Sequence, residues 1–375
     1  MNRMFSPSTD PGPAAMALPA PVRACVPLAG HAPRVSCGQA VTKGQLVAEA
    51  LEPGLGDAHA PVAGKVDLVD KWNVCVVAQG EARAEPVDLA ALEGGTLRAV
   101  LRSLGVDIAP LAVINTLVIN GLNSEPGVTS AELLLRDFAP TLQAGLDLAR
   151  RVMGASVCVL ALRQGVAASL AGCDTRSVPA VYPQTLDPLV IKAVTGKENP
   201  EGVAALSVHE LFCLGQVAET GLPCDRTVLT VGERNFLVVV GTPVSEVLAA
   251  AGLDARDGDR VVLDGLFRGF TARSLGQGVD KGVYGLSVVP AGAHAPVTDA
   301  PCMECGKCVR ICPSRVDPGL LSGCAEFGLL KQAVDNYIDA CMECGLCAYV
   351  CPTHRPVLQY IRLAKQQLRE VAESV

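Results

Sequence analysis

A twelve-residue pattern is written twice near the C-terminus: CMECGKCVRICP over Cys302–Pro313 and CMECGLCAYVCP over Cys341–Pro352. Each copy has the form C-x2-C-x2-C-x3-C-P, the spacing with which thiolates hold a [4Fe–4S] cube. Eight of the sixteen cysteines lie in these runs, and the other eight are scattered singly. Zinc is the competing ion, but zinc sites take four ligands in pairs, and each run already carries four cysteines followed by proline. The pattern predicts two [4Fe–4S] clusters and one-electron chemistry. Where two such runs occur together, the fourth cysteine of each ligates the other cube. That rule gives cluster I to Cys302, Cys305, Cys308 and Cys351, and cluster II to Cys341, Cys344, Cys347 and Cys312. Gly306 and Gly345 suit close approach of backbone to an inorganic cluster, and Pro313 and Pro352 stop a helix from running on through the ligand. No histidine lies inside either run, which argues against a Rieske centre.

Between the runs, Leu320, Leu321, Cys324, Phe327, Leu330 and Val334 recur at three- and four-residue intervals, the period of a helix with one buried face. Asp317-Pro318 supplies a helix start. The module therefore reads as a helical ferredoxin rather than the short βαβ kind. Cys324, on the apolar stripe, reads as a small buried hydrophobe and not as an extra ligand.

At 375 residues the chain has room for several domains, and with half its residues hydrophobic but only 3% aromatic, their cores are built from Val, Leu and Ala. A net charge of −7 without any Lys/Arg block argues against nucleic acid. No apolar run approaches the roughly 18 residues of a membrane span. The start, MNRMFSPSTDPGPAAMALPAP, is too rich in proline for a signal-peptide core, and residues 1–25 read as a loose leader. Clusters with free thiols elsewhere fit a reducing cytoplasm, where structural disulfides are uncommon.

Residues 26–94 contain GQAVTKGQLVAEA and HAPVAGKVDLV, short Val-rich strands punctuated by glycine. They are similar to the biotinyl and lipoyl carrier domains, but LEPGLGD (Leu51–Asp57) holds no lysine to modify, so a structural barrel-sandwich hybrid is expected. Residues 95–222 alternate strand and helix patterns: strands at Leu111–Asn120 and Ala155–Leu162, a helix at Ser130–Met153, and hence an α/β layer with a largely parallel sheet. Residues 223–292 carry two β runs, a Gly-Thr-Pro turn, one helix and strands at Asp259–Leu263 and Gly282–Val289, the outline of a β-grasp (SLBB-like) domain. Residues 293–375 form the dicluster domain, giving a multidomain α/β chain.

That order of parts resembles the RnfC family, the C-subunits of the Rnf electron-transport complex. So do the phrases TLVINGLNSEPGVTSAELLL (Thr116–Leu135), YPQ (Tyr182–Gln184), AVTGKENPEG (Ala193–Gly202), VGTPVSEVL (Val240–Leu248) and DKGVYGLSVV (Asp280–Val289). The resemblance runs from about residue 26 to 368. It implies a peripheral subunit on the cytoplasmic face of a membrane pump that couples electron flow between ferredoxin and NAD⁺ to Na⁺ or H⁺ transport. Cobalamin-reductase subunits of bacterial microcompartments share the layout.

The departure from that family falls at one place. Its members carry a glycine-rich loop resembling G-x-G-G-A-G-F-P, through which backbone amides approach the phosphates of nucleotide and flavin. Here the corresponding stretch is LGVDIAPLAVINTLVIN (Leu104–Asn120), shorter and with one glycine. Asn120, Gly121, Glu125 and Pro126 persist, but Asn123 and Ser124 replace the acidic and cysteine positions. The chain is therefore expected to bind neither FMN nor NADH, and Glu125 reads as a relic of the fold or a turn cap. No catalytic residue is assigned.

His31, His59, His209, His294 and His354 are isolated and read as surface or capping residues. Lys307, Arg310 and Arg315 crowd the first run and form a solvated rim that would also guide an acidic ferredoxin. A helix at Val357–Val371 is expected to pack on the chain's own α/β layer, with docking on a membrane partner as its alternative. The function expected is electron relay in an Rnf-type ion-translocating complex, with other subunits, ferredoxin or a cytochrome as partners. The alternatives are a soluble adaptor feeding a reductase and a structural subunit whose clusters act as staples.

Overall fold

The structure, a computed structural model, describes residues 10–373. It divides into two compact units. The first extends to Arg256 and takes in Arg260–Gly265 and Phe270–Val288. The second runs from Val289 onward and takes in Asp257–Asp259 and Leu266–Gly269.

The first unit begins with β1 (Met16–Ala17), a short edge strand inside the stretch read as a loose leader; residues 1–9 lie outside the described residues. Seven strands follow: β2 (Arg23–Pro27), β3 (His31–Pro33), β4 (Ala40–Val41), β5 (Leu46–Ala50), β6 (Ala58–His59), β7 (Gly64–Val69) and β8 (Asn73–Ala78). They form two antiparallel sheets, in the orders β2-β8-β7-β4 and β3-β5-β6. Val26, Val47, Val66, Val74 and Val76 are buried between them, as β-branched residues on pleated surfaces favour. Cys25 faces Cys75 across β2 and β8, and a disulfide joins them. The expectation of free thiols outside the runs fails here, because antiparallel register brings together residues far apart in sequence.

The α/β layer contains α1 (Gly94–Ser103), β9 (Thr116–Asn120), α2 (Ser130–Asp137), α3 (Ala139–Met153), β10 (Val157–Arg163), β11 (Asp174–Val178), α4 (Asp187–Thr195), β12 (Val203–Ser207) and α5 (Val208–Thr220). Its sheet is parallel throughout, in the order β11-β10-β9-β12. Alternate residues of β9 serve opposite faces, as a strand requires. Leu117 and Ile119 join the core under α3 and α5, while Val118 joins the core under α4. Helices α3 and α5 cross at paired glycines: a Cβ on Gly145 would lie 2.0 Å from the Leu211 carbonyl oxygen, and one on Gly215 2.0 Å from that of Thr141. The single helix expected over Ser130–Met153 is two, parted at Phe138, whose ring packs edge-on against Phe212 with centroids 5.1 Å apart. Pro140 then sits in the first turn of α3, where its missing N–H costs nothing. The strand expected from Leu111 begins only at Thr116.

A six-stranded mixed sheet follows, built from β13 (Arg226–Val231), β14 (Arg234–Val239), β15 (Arg260–Leu263), β16 (Phe270–Thr271) and β17 (Gly285–Val289) with β1, around α6 (Val244–Ala251). Its order is β1-β14-β13-β17-β15-β16.

The second unit is helical: α7 (Lys307–Ile311), α8 (Pro318–Glu326), α9 (Leu330–Asp335), a 3-10 turn at Ile338–Ala340, α10 (Leu346–Tyr349) and α11 (Val357–Glu373). Asp317 caps α8 by accepting from the Leu320 amide at 3.0 Å. The stripe between the runs is not one buried face. Gly328, at φ 67°, breaks it into α8 and α9, and Phe327 and Val334 turn outward while Leu321 and Cys324 are buried. Cys324 sits among Leu321, Ala333, Ile338 and Ile361, as a small hydrophobe would. Helix α11 packs on α8 through Val357, Ile361 and Ala364.

Candidate iron–sulfur centre

The two runs fold alike. Glu304 and Glu343, and Gly306 and Gly345, hold the same positions in each run, and Arg315 and His354 stand two residues past each run's proline; every pair has positive φ, between 51° and 75°. Such left-handed residues turn the chain sharply, so that thiols two residues apart point to one side. Helix α7 carries Cys308 and leads into Cys312; α10 carries Cys347 and leads into Cys351.

The thiols gather in two groups, each drawn from both runs. Cys302, Cys305 and Cys308 line a cavity of about 30 Å³ together with Cys351, Gly319 and Thr353. Built on Gly319, a Cβ would lie 3.7 Å from the sulfurs of both Cys302 and Cys308. Cys312 stands near enough to Cys341 and Cys344 that it disfavours their thiolates, as Cys341 does that of Cys344. Among the described residues no three Cys, His, Asp or Glu side chains converge tightly enough for a single metal ion. The donors are nonetheless chemically suited to iron–sulfur clusters: soft sulfur ligands, with glycine where backbone must come close.

Burial differs between the groups. Cys302 is exposed and Cys305, Cys308 and Cys351 are half-buried, whereas in the second group Cys344 and Cys347 are buried and Cys312 and Cys341 half-buried. Burial pushes the Cys308 and Cys341 thiols up, Cys344 to about 11 and Cys347 to about 12. These thiols are neutral at pH 7, so metal binding releases their protons. The segment Leu266–Gly269 covers the second run: a Cβ on Gly345 would lie 2.2 Å from the Phe267 carbonyl oxygen, and the Phe267 ring meets Tyr349 edge-on with centroids 5.6 Å apart. Among the described residues, a Cβ on Gly306 of the first run would meet only the Arg310 guanidinium at 3.3 Å. Its basic residues stand where the second run is apolar: Lys307 matches Leu346, and Arg310 matches Tyr349. Lys307, Arg310 and Arg315 are exposed.

Elsewhere several side chains stand differently from expectation. Glu125 is buried, accepts from the Tyr284 hydroxyl at 3.3 Å and packs on Gly265, where a Cβ would lie 2.1 Å from its carboxyl. His209 and His59 are half-buried; desolvation holds both near pKa 4, and His209 Nε2 meets the Ser130 hydroxyl at 2.9 Å. The Cys158 thiol hydrogen-bonds that of Cys173, and Cys213 that of Cys224. Only strand register and a helix reversal create these contacts, so spacing gave no sign of them. At the start of Leu104–Asn120, Lys281 Nζ donates to the Gly105 carbonyl and to Asp107 Oδ1 at 2.9 Å, beside a cavity of about 620 Å³.

The helical unit with its two cysteine runs matches a 4Fe-4S binding domain: the family model of that description covers residues 300–317 and 338–354. Beyond that module, the chain is similar over most of its length to the C-subunits of ion-translocating oxidoreductase complexes, the Rnf family its phrases resemble. It is 27% identical to the C-subunit of the ion-translocating oxidoreductase complex of Rhodobacter capsulatus, over 84% of this chain and 73% of that one. The corresponding C-subunit of Pseudomonas aeruginosa is 29% identical over 93% of this chain, which spans about half (52%) of that protein's length. The C-subunit of the proton-translocating ferredoxin:NAD(+) oxidoreductase complex of Clostridium ljungdahlii is 25% identical, over 95% of this chain and 90% of its own. Among solved structures, an NAD+-reducing [NiFe]-hydrogenase in the H2-reduced state aligns with a TM-score of 0.43 at 16% identity, over 75% of this chain and 61% of that one. No described helix is long and apolar enough to cross a membrane.

Proposed function

We propose that this chain is an electron-transfer subunit of an Rnf-type ion-translocating oxidoreductase complex, relaying single electrons through two [4Fe–4S] clusters. The observation that carries the reading is the meeting of thiols from both runs, Cys351 with Cys302, Cys305 and Cys308, and Cys312 with Cys341 and Cys344. Cluster I would rest on Cys302, Cys305, Cys308 and Cys351, and cluster II on Cys341, Cys344, Cys347 and Cys312. Cubes so held each store one electron, and shared runs keep the two stations adjacent. The protein's own part is to position the thiolates, to keep water from the second run with Phe267, Tyr349 and α11, and to leave the first run open.

Exposure and charge make cluster I the port. An acidic one-electron carrier, a ferredoxin or a cytochrome, would dock over Lys307, Arg310 and Arg315. On this reading the protein lies peripherally on the cytoplasmic face of the membrane, among other subunits of its complex. Residues 26–94 serve as a barrel-sandwich hybrid, 95–222 as the α/β layer, 223–292 as a β-grasp domain and 293–375 as the dicluster domain.

FMN and NADH have no place in this reading, because phosphates need free backbone amides at a glycine loop. In Leu104–Asn120 the Lys281–Asp107 pair occupies the start of that stretch instead.

Anaerobic purification tests the reading. About eight iron atoms per chain are expected, as two cubes require, with no acid-released flavin and no bleaching of the clusters by NADH. Iron for one cube only, after full reconstitution, removes the relay; stoichiometric flavin or reduction by NADH alone restores nucleotide chemistry.

A further inference from the structure

Both runs begin CMEC, so each places a glutamate between its first two cysteines on the same left-handed turn. The two glutamates live in opposite surroundings. Glu304 is exposed, and among the described residues its carboxylate has no ion-pair partner. Glu343 accepts from Arg362 Nε at 2.9 Å and from Lys365 Nζ at 3.1 Å, both cations from α11. Lys365 also donates to the Cys341 carbonyl oxygen at 2.6 Å, and Arg362 to that of Arg268 at 2.7 Å. At the first site Arg310 donates to the Cys305 carbonyl at 3.3 Å from solvent, which screens its charge, and the buried Arg355 beside Cys351 is matched by its ion pair with Glu326. The Lys365 side chain is only 16% exposed, so its charge acts with little screening.

We propose that Lys365 sets the reduction potential of cluster II, acting as a positioning residue through the Cys341 carbonyl and as a fixed cation beside the cube. The inference rests on the two-cluster reading above. Adding an electron to a thiolate-held cube increases its negative charge, so a nearby unscreened cation favours the reduced form and raises the potential. Burial of the second run works the other way, because it removes the water that would stabilise the added charge. Two cations against one carboxylate leave a net positive charge at Cys341 and oppose that cost. The identical CMEC sequences thus hold stations of unequal potential, and a helix outside both runs creates the difference.

The experiment is a redox titration followed by paramagnetic resonance on the reconstituted full chain, with iron and sulfide counted on each sample. Lys365→Gln is expected to move the cluster II midpoint negative by about tenfold in its reduction equilibrium, about 59 mV for one electron, with cluster I unmoved. Lys365→Arg is expected to recover most of the shift, and Arg310→Gln to move cluster I less. Glu343→Gln, which removes the opposing anion, is expected to move cluster II positive, and it provides the test if Lys365→Gln fails to retain its second cube. An unmoved cluster II midpoint in fully loaded Lys365→Gln or Glu343→Gln overturns the role of Lys365. Wild-type protein with iron for a single cube overturns the two-cluster reading instead.

Discussion

At the scale of single residues, the fourth cysteine of each run makes the sharpest claim. Cys312→Ser is expected to damage the cluster built on Cys341, Cys344 and Cys347 and to spare the one on Cys302, Cys305 and Cys308; resonance spectra of the reduced variant distinguish the two, and loss confined to the latter reverses the ligand assignment. The glycines of the two runs should also differ. Alanine is strained at both, since each has positive φ, but at Gly345 its Cβ also meets the Phe267 carbonyl oxygen at 2.2 Å. Gly345→Ala should therefore cost about 1–3 kcal/mol more than Gly306→Ala, measured by denaturant unfolding of the loaded protein. His209 carries the pH prediction. Its folded pKa of about 4 lies below the ordinary 6.5, so the unfolded chain binds the proton more readily, and stability falls as pH drops from 6.5 towards 4. The loss approaches about 3 kcal/mol at most, at about 1.4 kcal/mol per pH unit. Unfolding of His209→Gln at pH 7, 5.5 and 4.5 should show a shallower slope than wild type; equal slopes reject the assignment. The 4Fe-4S binding domain was legible because the spacing of its cysteines is local. The burial of His59 and His209 was not, because neither residue carries any mark of what the fold lays over it.

Among the elements, α11 shows what periodicity can and cannot say. Its apolar stripe was plain in the sequence, and Val357, Ile361 and Ala364 are indeed buried. The surface they cover is α8, which the stripe could not name, since it specifies that a partner exists but not which one. Ile361→Ala is expected to cost about 2–5 kcal/mol, seen as a lowered unfolding midpoint and weaker retention of the second cluster. The parallel order of β9 to β12 followed from strands alternating with helices. The break between α2 and α3 did not, because the apolar spacing carries straight through Phe138, and only its packing on Phe212 and the proline after it divide the helix. Similarly, the stripe from Leu320 to Val334 mixed buried with exposed residues because Gly328 ends one helix before the next begins. The cysteine pairs outside the runs belong to this scale too, for register between strands is what joins Cys25 to Cys75.

For the molecule as a whole, the two runs face different worlds: the first presents Lys307, Arg310 and Arg315 to solvent, and the second lies under Leu266–Gly269 and α11. Reduction by an acidic carrier protein should slow steeply as salt rises, with a Debye length of about 10 Å at 0.1 M. Lys307→Glu with Arg310→Glu should slow it at least tenfold, the order expected of electrostatic steering, and flatten the salt dependence. Stopped-flow traces at several ionic strengths measure both, and an unchanged rate places the port elsewhere. The meeting of Cys351 with Cys302, Cys305 and Cys308 has a last consequence, for biogenesis. A cube seated there ties the end of the second run to the start of the first, as a cross-link closes a loop and restricts the unfolded chain. Neither site can be completed by a polypeptide that is still emerging or has lost its tail. Iron delivery should therefore wait for the finished C-terminal unit, and a protein starved of iron should be trimmed by proteases between Pro313 and Cys341 first.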